Sequence, residues 1–132
     1  MKRAIKHAAG FAAAALLMTS AAGAAGKLDE AARILERQAK AGRGEFITYL
    51  VGAAAAYRWA AADGGAEHAQ YCPPPGIRLD GRAWAKIALD EYKRDKTQYT
   101  GLDEYPLSVF ALALLHGLRD KYPCQSTSAT GG

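Results

Sequence analysis

The 132 residues carry 17 Lys and Arg against 13 Asp and Glu, a formal net charge of +4. Three of the bases, Lys2, Arg3 and Lys6, lie at the extreme N-terminus. Without them 14 bases face 13 acids, a net charge near +1, and no basic patch remains that would support a nucleic-acid partner.

That basic start opens a recognisable export signal. An apolar stretch follows from Ala8 to Thr19, with Phe11, Leu16, Leu17 and Met18, and then small residues in which Ala22-Gly23-Ala24 fits the Ala-x-Ala cleavage preference. The pattern predicts a cleaved signal peptide over residues 1–24 and delivery to the periplasm. The alternative is a membrane anchor, for which the apolar run is short of the roughly 20 residues of a spanning helix; no stable membrane insertion is expected after cleavage. What remains is a chain of about 108 residues, one domain. It buries roughly two thirds of its unfolded surface, enough for one core with little surplus.

The next elements read as helices. From Leu28 to Ala41, apolar residues recur at Leu28, Ala31, Ala32, Leu35 and Ala39, close to a helical period. Asp29 and Glu30 suit the positive end of that helix's dipole, and Arg37 and Lys40 its negative end. Gly42 and Gly44 stop it. A second helix is predicted from Glu45 to Ala62. It is apolar nearly all round (Phe46, Ile47, Leu50, Val51, Ala53 to Ala56), which predicts a buried, central helix. A membrane span is the alternative, interrupted by Arg58.

Residues 66–79 are a loop, because Pro73-Pro74-Pro75-Gly76 cannot be helix interior. Asp80 is placed to cap a third helix running to Thr97. Trp84, Ile87, Ala88, Glu91 and Tyr92 mark its inner face and edge. Asp90 and Arg94 sit four apart, a surface pair worth about 0.3 kcal/mol. Gly101 ends the region. A fourth helix is expected from Asp103 to Lys121, with Pro106 in its first turn. Val109, Phe110, Ala113, Leu114 and Leu118 form a broad apolar face, and Leu107, Leu112 and Leu115 lie beside it. Pro123 halts this helix. Residues 125–132 are a Ser/Thr/Gly-rich tail with the composition of disorder. The fold class is therefore all-α, a small bundle of about four helices over residues 25–124.

Cys72 and Cys124 are the only cysteines. In an oxidising compartment one intramolecular bridge is the default; two free thiols or an intermolecular bridge are the alternatives. Closing a loop of about 50 residues is worth about 4 kcal/mol on chain-entropy grounds. Neither cysteine has the neighbours of a catalytic thiol.

No constellation for catalysis is legible. His68 and His116, the histidines outside the leader, lack a second ligand or carboxylate at a defined spacing, and His116 reads as a helix-surface residue. The acidic pairs Asp29-Glu30, Asp90-Glu91 and Asp103-Glu104 are sequence neighbours, which point about 100° apart on a helix and cannot share a proton. Gly-x-Ser-x-Gly, phosphate-loop and haem-attachment motifs are absent. No metal and no cofactor are called for, and the expectation is a binding protein rather than an enzyme. Its candidate contact surface is the turn from Thr97 to Tyr105, where Tyr99, Leu102, Asp103, Glu104 and Tyr105 combine aromatic area with acids. Two readings of Tyr99 and Tyr105 stand side by side: a partner-contact patch, or rings packed back on the core.

A larger pattern joins these pieces. Tyr49 and Gly52 form a Tyr-x-x-Gly in the apolar helix. Cys72-Pro73 is followed by Gly76-Ile77. The next helix carries Trp84, Ile87 and Tyr92, and the last ends Leu114-x-x-x-Leu118-x-x-x-Tyr122-Pro123-Cys124. In order, spacing and export signal this resembles the Rap/Tai family of periplasmic immunity proteins, over about Leu28 to Cys124. Where the family often has a further cysteine, three residues before that first tyrosine, this chain has Phe46, so a second bridge is not expected. The resemblance implies an immunity protein that occludes the catalytic groove of a peptidoglycan amidase delivered by type VI secretion. It also implies a homodimer, no catalysis of its own, and insertion of the Tyr99–Tyr105 loop. The reading from another class is a periplasmic chaperone or structural envelope protein with no enzyme target.

Overall fold

A computed structural model of the chain describes residues 19–65, 69–102 and 105–125, with side chains from Gly26 onward. Residues 1–18 of the signal peptide expected over 1–24, loop residues 66–68 with His68, the acidic pair Asp103-Glu104 and residues 126–132 of the tail expected over 125–132 lie outside the described residues. Five helices follow one another: α1 Thr19–Ala41, α2 Glu45–Gly64, α3 Gly81–Arg94, α4 Lys96–Tyr99 and α5 Pro106–Lys121. The fold is all-helical among the described residues, as expected, with α4 a single turn added to the four main helices.

The bundle is built around the pairing of α3 with α5, and α1 and α2 pack against that pair. α5 is central because its apolar face is broad: Val109, Phe110, Ala111, Ala113, Leu114 and Leu118 are all buried. α3 approaches it closely at Gly117. A Cβ there would stand 2.7 Å from Ile87 Cγ2 and 3.1 Å from the Ile87 carbonyl oxygen, so only hydrogen fits. Tyr92 packs on Phe110 with ring centroids 5.1 Å apart and on Tyr99 at 6.1 Å, tilted as aromatic pairs prefer. Leu28, Leu35 and Leu50 complete the core from the flanking helices. The turn between α1 and α2 uses Gly44 at φ 145°, a region closed to other residues. Beside it, Gln38 Oε1 accepts the Phe46 amide at 2.8 Å, which ties the end of α1 to the first turn of α2.

The cysteines are bridged, Cys72 to Cys124, with Cα atoms 4.8 Å apart. The Cys72 amide also donates to the Tyr122 carbonyl at 2.7 Å. The stiff loop before α3 is therefore fastened to the chain just beyond α5.

Several expectations are corrected. α2 is a flanking helix, not a central one: only Ile47, Leu50 and Ala54 are buried, while Tyr49, Val51 and Trp59 are exposed, Trp59 at 70 %. Among the described residues no helix covers its apolar outer side. α1 is helical from Thr19, so Asp29 and Glu30 lie well inside it and do not serve a first turn. The expected third helix is broken at Asp95, whose backbone leaves the helical region (φ −142°, ψ 71°) and whose carboxyl accepts from the Gln98 amide and the Thr97 hydroxyl, capping α4. Asp90 does not pair with Arg94. It pairs with Lys86 at 2.5 Å, and Arg94 turns to Glu91 and Asp120. Asp80 caps α3 as expected, accepting from the Ala83 amide at 2.9 Å.

Candidate functional site

Two surfaces stand out, one at the turn between α4 and α5 and one beside α2. The first begins at Tyr99, and Tyr99 itself is fully buried. Its hydroxyl donates to Glu91 Oε1 at 3.1 Å and lies 2.9 Å from His116 Nδ1. The Gln98 side-chain amide nitrogen lies 3.2 Å from the same Nδ1. Glu91 is a buried acid at 4 % exposure, and the Arg94 guanidinium grips its other oxygen, Oε2, at 3.0 and 2.5 Å. Burial, and then the nearby Glu91 carboxyl, push the Tyr99 hydroxyl well above the usual tyrosine range. His116 is thus half-buried and hydrogen-bonded, not a plain surface histidine.

The other flank of α4 is tied to α1. Tyr92 donates to Asp29 Oδ1 at 2.8 Å, and the Lys96 ammonium reaches the same oxygen at 2.9 Å. Lys96 and then Tyr92 hold the Asp29 carboxyl below the usual carboxylate range. Burial, with the hydrogen bond to Asp29 behind it, raises the Tyr92 hydroxyl. The single turn of α4 is therefore fixed to α1, α3 and α5 together.

From this anchored base the chain emerges into solvent. Gly101 adopts φ 92°, Leu102 is 48 % exposed and Tyr105 is 66 % exposed. With Ser108, Val109 and Leu112 they line a shallow depression of about 320 Å³. Of the five residues predicted for partner contact, the fold exposes Leu102 and Tyr105 and buries Tyr99; Asp103 and Glu104 lie outside the described residues. Tyr99 supports the turn from beneath, and Tyr105 is presented on it.

The second surface was not anticipated. A groove of about 550 Å³ runs between α2, the loop from Tyr71 to Leu79, and Trp84 at the start of α3. Val51, Ala54, Ala55 and Ala61 give α2 a low-relief wall, Tyr71 is buried in the floor, and Pro73 and Ile77 form the opposite side. Arg58 and Arg78 stand on its lining. Among the described residues neither guanidinium has a carboxylate partner. The signal for this groove lay in the sequence, in an apolar helix carrying Arg58 that is followed by a proline-stiffened loop carrying Arg78.

Among the described residues no three His, Cys, Asp or Glu side chains gather as a metal site, and no helix is long and apolar enough to cross a membrane. Compared with protein-family models, with curated proteins and with solved structures, the chain matches none.

Proposed function

We propose that the protein is a periplasmic immunity protein that binds and occludes a peptidoglycan-amidase effector of a type VI secretion system, with no catalysis of its own. The carrying observation is the turn at Leu102 and Tyr105: two large side chains held in solvent on a base pinned to three helices. Tyr contributes large contact area for few rotatable bonds, and the α4 base beneath it is held by Lys96 to Asp29 and by Tyr99 to Glu91 and His116. The export signal and the disulfide belong to the same reading, since an amidase delivered to the cell wall is met in the periplasm. The resemblance in the order of Tyr49, Gly52, Cys72, Trp84 and the Leu118-to-Cys124 ending supplies the class of partner.

The test uses oxidised mature protein against cell-wall amidase effectors, reading release of stem peptide from peptidoglycan. Inhibition at one-to-one stoichiometry, lost in Leu102→Ala/Tyr105→Ala and kept in Tyr99→Phe, is the expected result. An amidase that stays inhibited by the double variant would remove this turn from the mechanism, and failure to inhibit any amidase would remove the immunity reading.

A second reading, a periplasmic chaperone or structural envelope protein, is favoured by one observation, the exposed Tyr49, Val51 and Trp59 on α2. It predicts that substoichiometric protein slows aggregation of a reduced, unfolding test protein, which a dedicated inhibitor would not do.

A further inference from the structure

The groove beside α2 combines three properties that a bare apolar face lacks. It is concave, with a volume of about 550 Å³. Its far wall is stiffened twice over: Pro73, Pro74 and Pro75 fix the backbone, and the bridge from Cys72 to Cys124, with the hydrogen bond from the Cys72 amide to the Tyr122 carbonyl, fastens its root. It also places positive charge beside apolar surface. Arg58 and Arg78 both line it, and among the described residues neither has a carboxylate partner. The Arg58 charge reaches into the groove, where it opposes the upward pull of burial on the Tyr71 hydroxyl. The acid nearest in sequence to Arg78, Asp80, is engaged in capping α3.

We infer that this groove is a binding site for an acidic, apolar peptide segment of a partner protein: an Asp or Glu flanked by aliphatic or aromatic side chains. The guanidiniums take the carboxylate in forked hydrogen bonds, and the apolar neighbours lie against the alanines of α2, Tyr71 and Trp84. The concavity selects side chains over a flat bilayer, and the stiff wall means the site is formed before the partner arrives. The inference stands apart from the reading of the Leu102–Tyr105 turn, because the two surfaces share no lining residue.

The experiment is selection of a phage-displayed random peptide library on the full-length, oxidised protein. Titration of the enriched peptides follows, against wild type, Arg58→Ala and Arg78→Ala. Both arginines are exposed, so the variants fold. The expected peptides carry an acid next to large apolar residues and bind about tenfold more weakly for each arginine removed. Reduction of the disulfide weakens them further. The inference is overturned if no peptide is enriched, if the enriched peptides lack acids, or if their binding ignores both substitutions. Two alternative occupants are tested on the same variants. Concentration-dependent self-association that is lost in the arginine variants, with no peptide enriched, would assign the groove to a second copy of the chain. Binding to phosphatidylglycerol vesicles with that same loss would assign it to a membrane. Either result overturns the peptide reading.

Discussion

Tyr99→Ala distinguishes a core residue from a contact residue on one position. Tyr99 has no exposed surface, and its ring lies against Tyr92 and against His116 at 5.9 Å. Truncating an enclosed aromatic ring to alanine costs about 3–5 kcal/mol. The loss also strips Glu91 and His116 of a partner, adding about 1–3 kcal/mol unless water enters. Against a total stability of about 5–15 kcal/mol, the variant is close to unfolding. Tyr99→Phe keeps the ring and removes only the hydroxyl, for about 1–2 kcal/mol. The hydroxyl's contribution depends on Glu91, so the phenylalanine change should cost about 1 kcal/mol less in a Glu91→Gln background. Arg94 offsets little of this, because its side chain is 61 % exposed and is shared with Asp120. Urea unfolding of the oxidised protein, followed by the fluorescence of Trp59 and Trp84, measures all four variants. If Tyr99→Ala fell within about 0.5 kcal/mol of wild type, as surface substitutions do, the burial of Tyr99 and the anchoring of the turn would both be wrong.

Gly117→Ala should destabilise by about 1–3 kcal/mol in the same assay, since the added methyl meets Ile87 at both its side chain and its carbonyl, and this outweighs the helical preference for alanine. A neutral result would mean that α3 and α5 are farther apart than described. Reducing the disulfide should lower stability by up to about 4 kcal/mol without loss of helix in native buffer, read by circular dichroism with and without reductant. The folded-state pKa of Asp29 is depressed, so its contribution is complete above the ordinary aspartate value and is lost as pH falls through the lower, folded value. Asp29→Asn should therefore destabilise at pH 7, with the gap to wild type closing as pH falls below the ordinary aspartate value and through the lower, folded one; a gap that is constant with pH would remove the pairing with Lys96.

Features that rest on local chemistry were legible. Asp80 announces a cap, Pro106 a first turn, and the leucines and valine of α5 a wide buried face, because each depends on residues within one or two turns. The cysteine pair followed from number, since two cysteines allow one intramolecular bridge, and from the export expected of the chain. α2 was misread because periodicity reports apolar character and not coverage: Tyr49, Val51 and Trp59 resemble core residues until the fold leaves them exposed. Tyr99 was open for the opposite reason, since a tyrosine in a polar turn is buried only if distant helices close over it. Its partners lie eight and 17 residues away, and Asp29 meets Tyr92 across 63. One hint was available. Glu91 falls four residues after Ile87, on the stripe that packs against α5, and an acid there requires partners such as Arg94 and Tyr99. The groove was missed because it forms between a helix and a loop whose approach is set by the bridge and by the Tyr57 hydroxyl donating to the Ala111 carbonyl at 2.8 Å.

The covalent ring closed by Cys72 and Cys124 contains α3, α4 and α5 and leaves α1 and α2 outside. The cross-link shrinks the disordered ensemble of the C-terminal half only, and the N-terminal helix pair is held by packing and by a few side-chain ties, among them Tyr57, Asp29 and the ion pair of Glu36 with Lys93. The two halves should therefore differ in local stability. Amides of α1 and α2 should exchange with deuterium through partial opening, whereas those in the middle of α3 and α5 should wait for complete unfolding. A protease acting on the native protein should therefore cut first within α1 or α2, and only later inside the ring that Cys72 and Cys124 close.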